Sequence, residues 1–230
     1  MNFKVRLFAI AIFCCFSFSP KASFADTCSR TSLNDVLATT CSIGKVSFAF
    51  TANSFTGVGV SADSIIFTPN AGSPLDPGFL LSGTFRVTAT GLGESSTESF
   101  SFFWMPTVLD PAFQITSATA LLINPVVPQA PNLGFISGGN NLGFTNATVQ
   151  TGEPVVNPST ATISQSLLHF PDGYFGTLTV VDGTGDGATT SVDSMEHQYN
   201  LTAVPEPANL ALLATSLLCM VGLKSKKLFA

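Results

Sequence analysis

An all-β fold, an antiparallel sandwich or jelly roll, is what this sequence predicts, and three observations predict it. Apolar residues alternate with Ser, Thr and Gly in short runs. The apolar positions are rich in β-branched and aromatic side chains, with 21 Phe in the chain, and Gly, Pro, Asn and Asp interrupt the pattern at short intervals. Helical periodicity is almost absent. With 230 residues, 45 % hydrophobic and 10 % charged, the chain is long and apolar enough for one domain with a sizeable core.

The alternating runs follow in order: VSFAFTA (Val46–Ala52), SIIFTP (Ser64–Pro69), GTFRVTAT (Gly83–Thr90), STESFSFFW (Ser96–Trp104) and FQITSATALLI (Phe113–Ile123). GFTNATVQT (Gly143–Thr151), TATISQSLLHF (Thr160–Phe170), GYFGTLTVV (Gly173–Val181) and TTSVDSMEHQYNLTAV (Thr189–Val204) complete the set. One short helix is expected over Ser32–Ala38, where Ser32 caps and Asp35 occupies the first turn. Asn124–Asn141 and Gly152–Thr160 read as long loops, because their Pro and Gly content argues against central strands. Such loops are common homes for binding sites and equally for plain connections. Ser and Thr supply 45 of the 178 residues from Asp26 to Ala203. They suit solvent-facing strand positions, and they also permit O-linked glycan.

The first 25 residues have the parts of a secretory signal: the basic MNFKVR, the apolar run Leu7–Phe18, and small residues Ser23 and Ala25 before a cut at Asp26. Twelve apolar residues are too few to span a bilayer. The mature chain is then expected in an oxidising compartment. Cys14 and Cys15 leave with the signal and Cys219 lies in the apolar tail, so Cys28 and Cys41 remain as the pair for one disulfide, worth on the order of 3 kcal/mol. Neither a four-ligand zinc site nor an activated thiol has the neighbours it needs. From Asp26 to Ala203, Arg30, Lys45 and Arg86 face 13 acidic residues, leaving −10. That balance excludes a phosphate-binding surface and with it nucleic acid, and it suits cations or neutral polymers.

Asp182–Asp193, DGTGDGATTSVD, has two readings. Asp182, Thr184 and Asp186 at positions 1, 3 and 5, Gly187 at 6 and Asp193 at 12 follow much of a calcium-loop spacing. The same residues also make a Gly-rich hairpin turn whose Asp side chains bond their own backbone. The only histidines are His169 and His197; neither lies in HExxH, and no Ser lies in GxSxG. Glu196 and His197 are neighbours in a strand and so point to opposite faces. The expectation is a protein without catalytic activity and with no cofactor other than this candidate calcium. Trp104, Tyr174 and Tyr199 would stack on sugar rings if exposed, although Trp104 ends an apolar run of the kind that builds cores.

The last segment, Val204–Lys227, is VPEPANLALLATSLLCMVGLKSKK. Its apolar part, Ala208–Leu223, would extend ~24 Å as a helix, somewhat under a ~30 Å hydrocarbon core. Apolar residues cover all its sides, so lipid is its expected environment and a short transmembrane helix its expected form. Lys224, Lys226 and Lys227 then act as a stop-transfer cluster that stays cytoplasmic, leaving residues 26–203 outside. In the order Pro205, Glu206, Pro207, apolar span and basic cluster, the tail resembles the PEP-CTERM sorting signal of exported Gram-negative proteins. The resemblance implies reading by a membrane-embedded exosortase, removal of the tail, and delivery to the surface or extracellular matrix alongside exopolysaccharide. LNDVLATTCSIGKVSFAF, with Cys41-Ser42-Ile43-Gly44 before Phe48 and Phe50, is similar to an opening common among such proteins, which supports the Cys28–Cys41 bridge and carries no catalytic residue. The expected organisation is therefore a signal peptide (1–25), a β-sandwich ectodomain (26–203) and a sorting segment (204–230). The expected role is structural or adhesive at the cell surface, with a carbohydrate- or calcium-binding module as the alternative and a surface hydrolase third.

Overall fold

The computed structural model describes residues 26–70 and 72–204. The expected signal segment, the Pro205-Glu206-Pro207 motif, the apolar span and Lys224, Lys226 and Lys227 lie outside the described residues. Among the described residues no helix is long and apolar enough to cross a membrane.

Among the described residues fourteen strands form two sheets. The first half of the chain supplies β1 (Asp26–Thr27), β2 (Thr31–Ser32), β3 (Thr40–Ile43), β4 (Val46–Phe50), β5 (Thr56–Val58), β6 (Ile66–Asn70), β7 (Gly78–Ala89) and β8 (Ser95–Val108). The second supplies β9 (Phe113–Ile123), β10 (Leu133–Asn140), β11 (Thr145–Gln150), β12 (Ser159–Thr162), β13 (Asp172–Val181) and β14 (Ala188–Ala203). The first sheet runs β1-β3-β4-β8-β13-β10-β11, with β5 also on β8, and the second runs β12-β9-β14-β7-β6-β2. All pairings are antiparallel except β1 on β3.

Alternation along each strand builds the sandwich. On β8, Phe100, Phe102 and Trp104 are buried while Ser99, Ser101 and Phe103 turn the other way. On β14 the buried set includes Met195, His197, Tyr199 and Leu201. The sheets meet through rings: Phe79 of β7 lies 5.2 Å edge-on to Trp104, and Phe85 stacks on Phe100 at 5.5 Å. Each such pair contributes roughly 1 kcal/mol beyond its area. Exposed cross-strand hydroxyl pairs such as Thr97 with Thr179 and Thr119 with Thr160 explain where much of the Ser/Thr content goes.

The expected helix is shorter than its sequence range. Helix α1 spans Leu33–Val36, with the Ser32 hydroxyl accepting the Asp35 amide at 3.2 Å and Leu33 and Val36 buried; Leu37 is already extended. Hydroxyls of Thr31 and Ser32 hold the Asp35 carboxyl below its usual range.

Two expectations are corrected. The segment Asn124–Asn141 is not all loop, because β10 occupies Leu133–Asn140 and lies between β13 and β11. Its glycines mark close approach: a Cβ on Gly138 would stand 2.7 Å from the Tyr174 hydroxyl, and one on Gly139 would run into the Thr145 carbonyl of the neighbouring strand. Conversely, Thr160–Phe170 is not one strand. β12 stops at Thr162 and a 3₁₀ turn follows at Gln165–His169. Leu167 and Leu168 both pack against the core, which consecutive residues of a flat strand cannot do.

Cys28 and Cys41 are disulfide-bonded, tying the β1–β2 junction to β3. Replacing both with Ser is expected to lower stability by about 3 kcal/mol, or roughly 10 °C in Tm. Thermal unfolding followed with and without reductant checks this: reductant should reproduce the loss in the wild type and do nothing to the variant.

Candidate functional site

One end of the first sheet carries the most exposed rings among the described residues. Inside that end lies Asp172, the first residue of β13, which is fully buried. Its Oδ1 accepts the amide N–H groups of Leu142 and Gly173, each at 2.8 Å. Its Oδ2 accepts the Asn140 side-chain amide at 3.0 Å and the Tyr199 hydroxyl. Tyr199 in turn accepts the Trp104 indole N–H at 3.1 Å, and Asn140 accepts from the Thr145 hydroxyl. Burial pushes the Asp172 carboxyl up, and the donated bonds from Leu142, Tyr199, Asn140 and Gly173 oppose that rise. This cluster fixes both ends of the β10–β11 turn, Asn141 to Phe144, so that Gly143 (φ 88°) and Phe144 (φ 55°) occupy left-handed backbone. A phenylalanine held there projects outward, and Phe144 is 81 % exposed.

Phe144 is not isolated. It lines a hollow of about 540 Å³ with Phe103, Leu167 and Phe170, and an adjoining one of about 360 Å³ with Ser137, Asn146 and Phe175. Phe175 then lines a third, of about 300 Å³, beside Thr56, Ser101 and Thr177. Phe170 is 60 % exposed and Phe175 43 %. Phe103 lies over Gly173, where a Cβ would meet its ring at 2.5 Å, and meets Phe175 edge-on at 6.0 Å. The three hollows form a track whose shared walls are the Phe144 and Phe175 rings. None of their lining residues is ionisable, and the polar groups among them are hydroxyls and the amides of Asn140, Asn141 and Asn146. The outward positions of β8, β13, β10 and β11 likewise carry no charged side chain.

The structure distributes the residues named from sequence as follows. Trp104, Tyr174 and Tyr199 are fully buried in the core, so they offer no stacking platform; the exposed rings are phenylalanines. His197 is also fully buried, among Phe79, Trp104 and Tyr199, and neither ring nitrogen has a hydrogen-bond partner among the described residues. Burial holds its pKa down at about 3, so it is neutral. Glu196 faces the other way and accepts the Asn70 amide. His169 is exposed at the end of the 3₁₀ turn.

Of the two readings of Asp182–Asp193, the geometry is that of the turn. Asp182 accepts the amides of Thr184, Gly185 and Gly187 at 2.9, 2.8 and 2.9 Å, with the Thr184 hydroxyl at 3.1 Å. Burial pushes its pKa up and these donors together outweigh burial, leaving it below the usual range. Asp186 is exposed. Asp193 stands on β14, six residues beyond Gly187, ~20 Å along an extended strand, and accepts the Asn124 amide at 2.8 Å. Asp182, Thr184, Asp186 and Asp193 are thus not gathered round one centre. Among the described residues no three His, Cys, Asp or Glu side chains cluster as metal ligands.

Sequence reasoning missed Asp172, Asn140, Phe144, Phe170 and Phe175. The usable signal was NNLGF, Asn141 flanked by Asn140 and a glycine-containing turn ending in an aromatic residue. Compared with models of known families and with curated proteins, the chain finds no match.

Proposed function

We propose that this chain is an exported cell-surface or extracellular-matrix protein of structural or adhesive type, delivered through its C-terminal segment and associated with exopolysaccharide. The observation that carries the reading is the order of parts in the sequence: a basic start with an apolar run and small residues before Asp26, a β domain, Val-Pro-Glu-Pro, a 16-residue apolar run and a lysine cluster. The disulfide supports an oxidising destination, since such bonds persist outside the reducing cytosol. An exosortase-type enzyme is the proposed processing partner, with the membrane holding the intermediate before Pro205-Glu206-Pro207 is read. A binding module is the second reading, favoured by the uncharged aromatic track, whose lining has no acid–base pair to offer chemistry.

Mass and location of the mature protein test the delivery reading. The wild type should lose both residues 1–25 and the tail and appear at the surface. Deleting Leu210–Ala230, or replacing Glu206 with Ala, should change that fate while the β domain keeps its circular dichroism. Unaltered surface delivery of the deletion variant sinks the sorting reading.

A further inference from the structure

We infer that the track from Phe170 through Phe144 to Phe175 binds a neutral polysaccharide chain. The inference deepens the surface-protein reading by naming the class of polymer and the residues that hold it.

Four observations carry it. First, Phe144, Phe170 and Phe175 expose large apolar rings that folding had every reason to bury. Phe144 in particular keeps a left-handed backbone, φ 55°, and the buried Asp172 network maintains that turn through the Leu142 amide. A strained backbone and an exposed ring are together costly to stability and point to recognition. Second, the hollows are consecutive, at about 540, 360 and 300 Å³, so they suit an extended chain occupying successive subsites better than one compact ligand. Third, the intervening groups are neutral donors and acceptors: Ser137 and Asn146, which bond each other, Asn141, and the Thr56–Ser101 hydroxyl pair. A pyranose needs both kinds of contact, a ring face for its C–H side and hydroxyls or amides for its edge. Fourth, no cation lines the track, while the domain as a whole carries −10. A uronate polymer, a nucleic acid or an acidic peptide would meet net repulsion with no compensating ion pair, whereas an uncharged polymer meets none.

The test is affinity electrophoresis of the full chain, purified in a zwitterionic detergent, through native gels containing dextran, galactomannan or alginate. Retardation by at least one of the two neutral polymers, with none by alginate, is the expected result. Phe144→Ala combined with Phe170→Ala should raise the neutral-polymer concentration needed for retardation at least tenfold, with unchanged circular dichroism, and Phe144→Trp should keep binding. Should the double variant misfold, Phe175→Ser serves instead, since that side chain stands exposed on a strand. The inference is overturned by no retardation in either neutral polymer, by equal retardation in alginate, or by variants that bind as the wild type does. Self-association that the same substitutions abolish, without polymer binding, also overturns it and assigns the track to a second copy of the chain. Binding is read on purified protein, so its failure leaves the delivery experiment untouched, and the reverse holds as well.

Discussion

Asp172→Ala is expected to cost about 4 kcal/mol of folding stability, a large share of what a domain of this size has. The reason is the number of donors it leaves behind. The Leu142 and Gly173 amides, the Asn140 side chain and the Tyr199 hydroxyl all converge on this one carboxylate, and Asp172, Asn140 and Tyr199 are buried where water cannot replace it. Each stranded donor costs roughly 1–3 kcal/mol, and relaxation of the Asn141–Phe144 turn recovers part of the sum. Asp172→Asn keeps one acceptor oxygen for the two backbone amides and turns an NH₂ toward Tyr199, whose hydroxyl can rotate to accept it, and toward the Asn140 NH₂, which loses its acceptor. It should cost about half as much. Urea unfolding at pH 6 separates the cases, with the order Ala below Asn below wild type. Equal midpoints for Ala and wild type would remove Asp172 from its place as the organiser of the turn. Because the turn presents Phe144, the Ala variant should also lose protection of the Leu142 amide in hydrogen exchange before the sheet opens.

How far the fold is legible in the sequence depends on which residues do the work. Val46–Phe50, Phe113–Ile123 and Ala188–Ala203 are found where alternation puts them, since one buried face dictates a period of two. The disulfide is legible because only Cys28 and Cys41 remain between the two ends. LGFISGGN is not legible as a strand: its three glycines signal a loop by propensity, and only the tertiary contacts of Tyr174 and Thr145 reveal that glycine is the residue that fits. Turn chemistry at Asp182 is legible in the sequence, yet calcium spacing is degenerate with it, because both require oxygen-bearing residues around glycines. The aromatic track is illegible for a statistical reason with a physical root. In a chain with 21 Phe, ring content alone does not separate those that pack between sheets from those that a left-handed turn or an outward strand position exposes. Asp172, in the sequence PDG, reads as a loop aspartate, and its burial depends on β10, β13 and β14 meeting.

Stability should be nearly flat between about pH 4.5 and 6.5, with a steep acid limb below, because two buried groups titrate in opposite senses. His197 is neutral in the fold, its pKa lowered by burial from 6.5 to about 3. The unfolded chain therefore binds more protons in that window, and the stability tied to neutral His197 is present above 6.5 and lost as pH falls toward 3. Glu98 is the reverse. It is buried on β8 with Oε1 lacking a partner among the described residues, and burial, opposed by the Arg86 backbone N–H, raises its pKa from 4.5 to about 7. The folded chain then holds the extra proton, so stability is full below 4.5 and falls as pH rises through 7. Between 4.5 and 6.5 one slope cancels the other. Below 4.5 His197 acts alone on that balance, joined by the lowered Asp35, Asp110 and Asp182, whose contribution is also lost in acid. Above 6.5 the remaining Glu98 slope lowers stability until its folded pKa of about 7 is passed. Across its window Glu98 is worth on the order of 3 kcal/mol and His197 on the order of 5 kcal/mol. Glu98→Gln should therefore remove the neutral-side fall, so that stability keeps rising from pH 4.5 to 6.5. His197→Leu, a filler of similar size among Phe79, Trp104 and Tyr199, should flatten the acid limb by one proton's slope. Urea midpoints measured from pH 3 to 8 decide it. A Glu98→Gln curve parallel to the wild type across pH 4.5 to 7 would dismiss Glu98, and an unchanged acid slope in His197→Leu would dismiss His197.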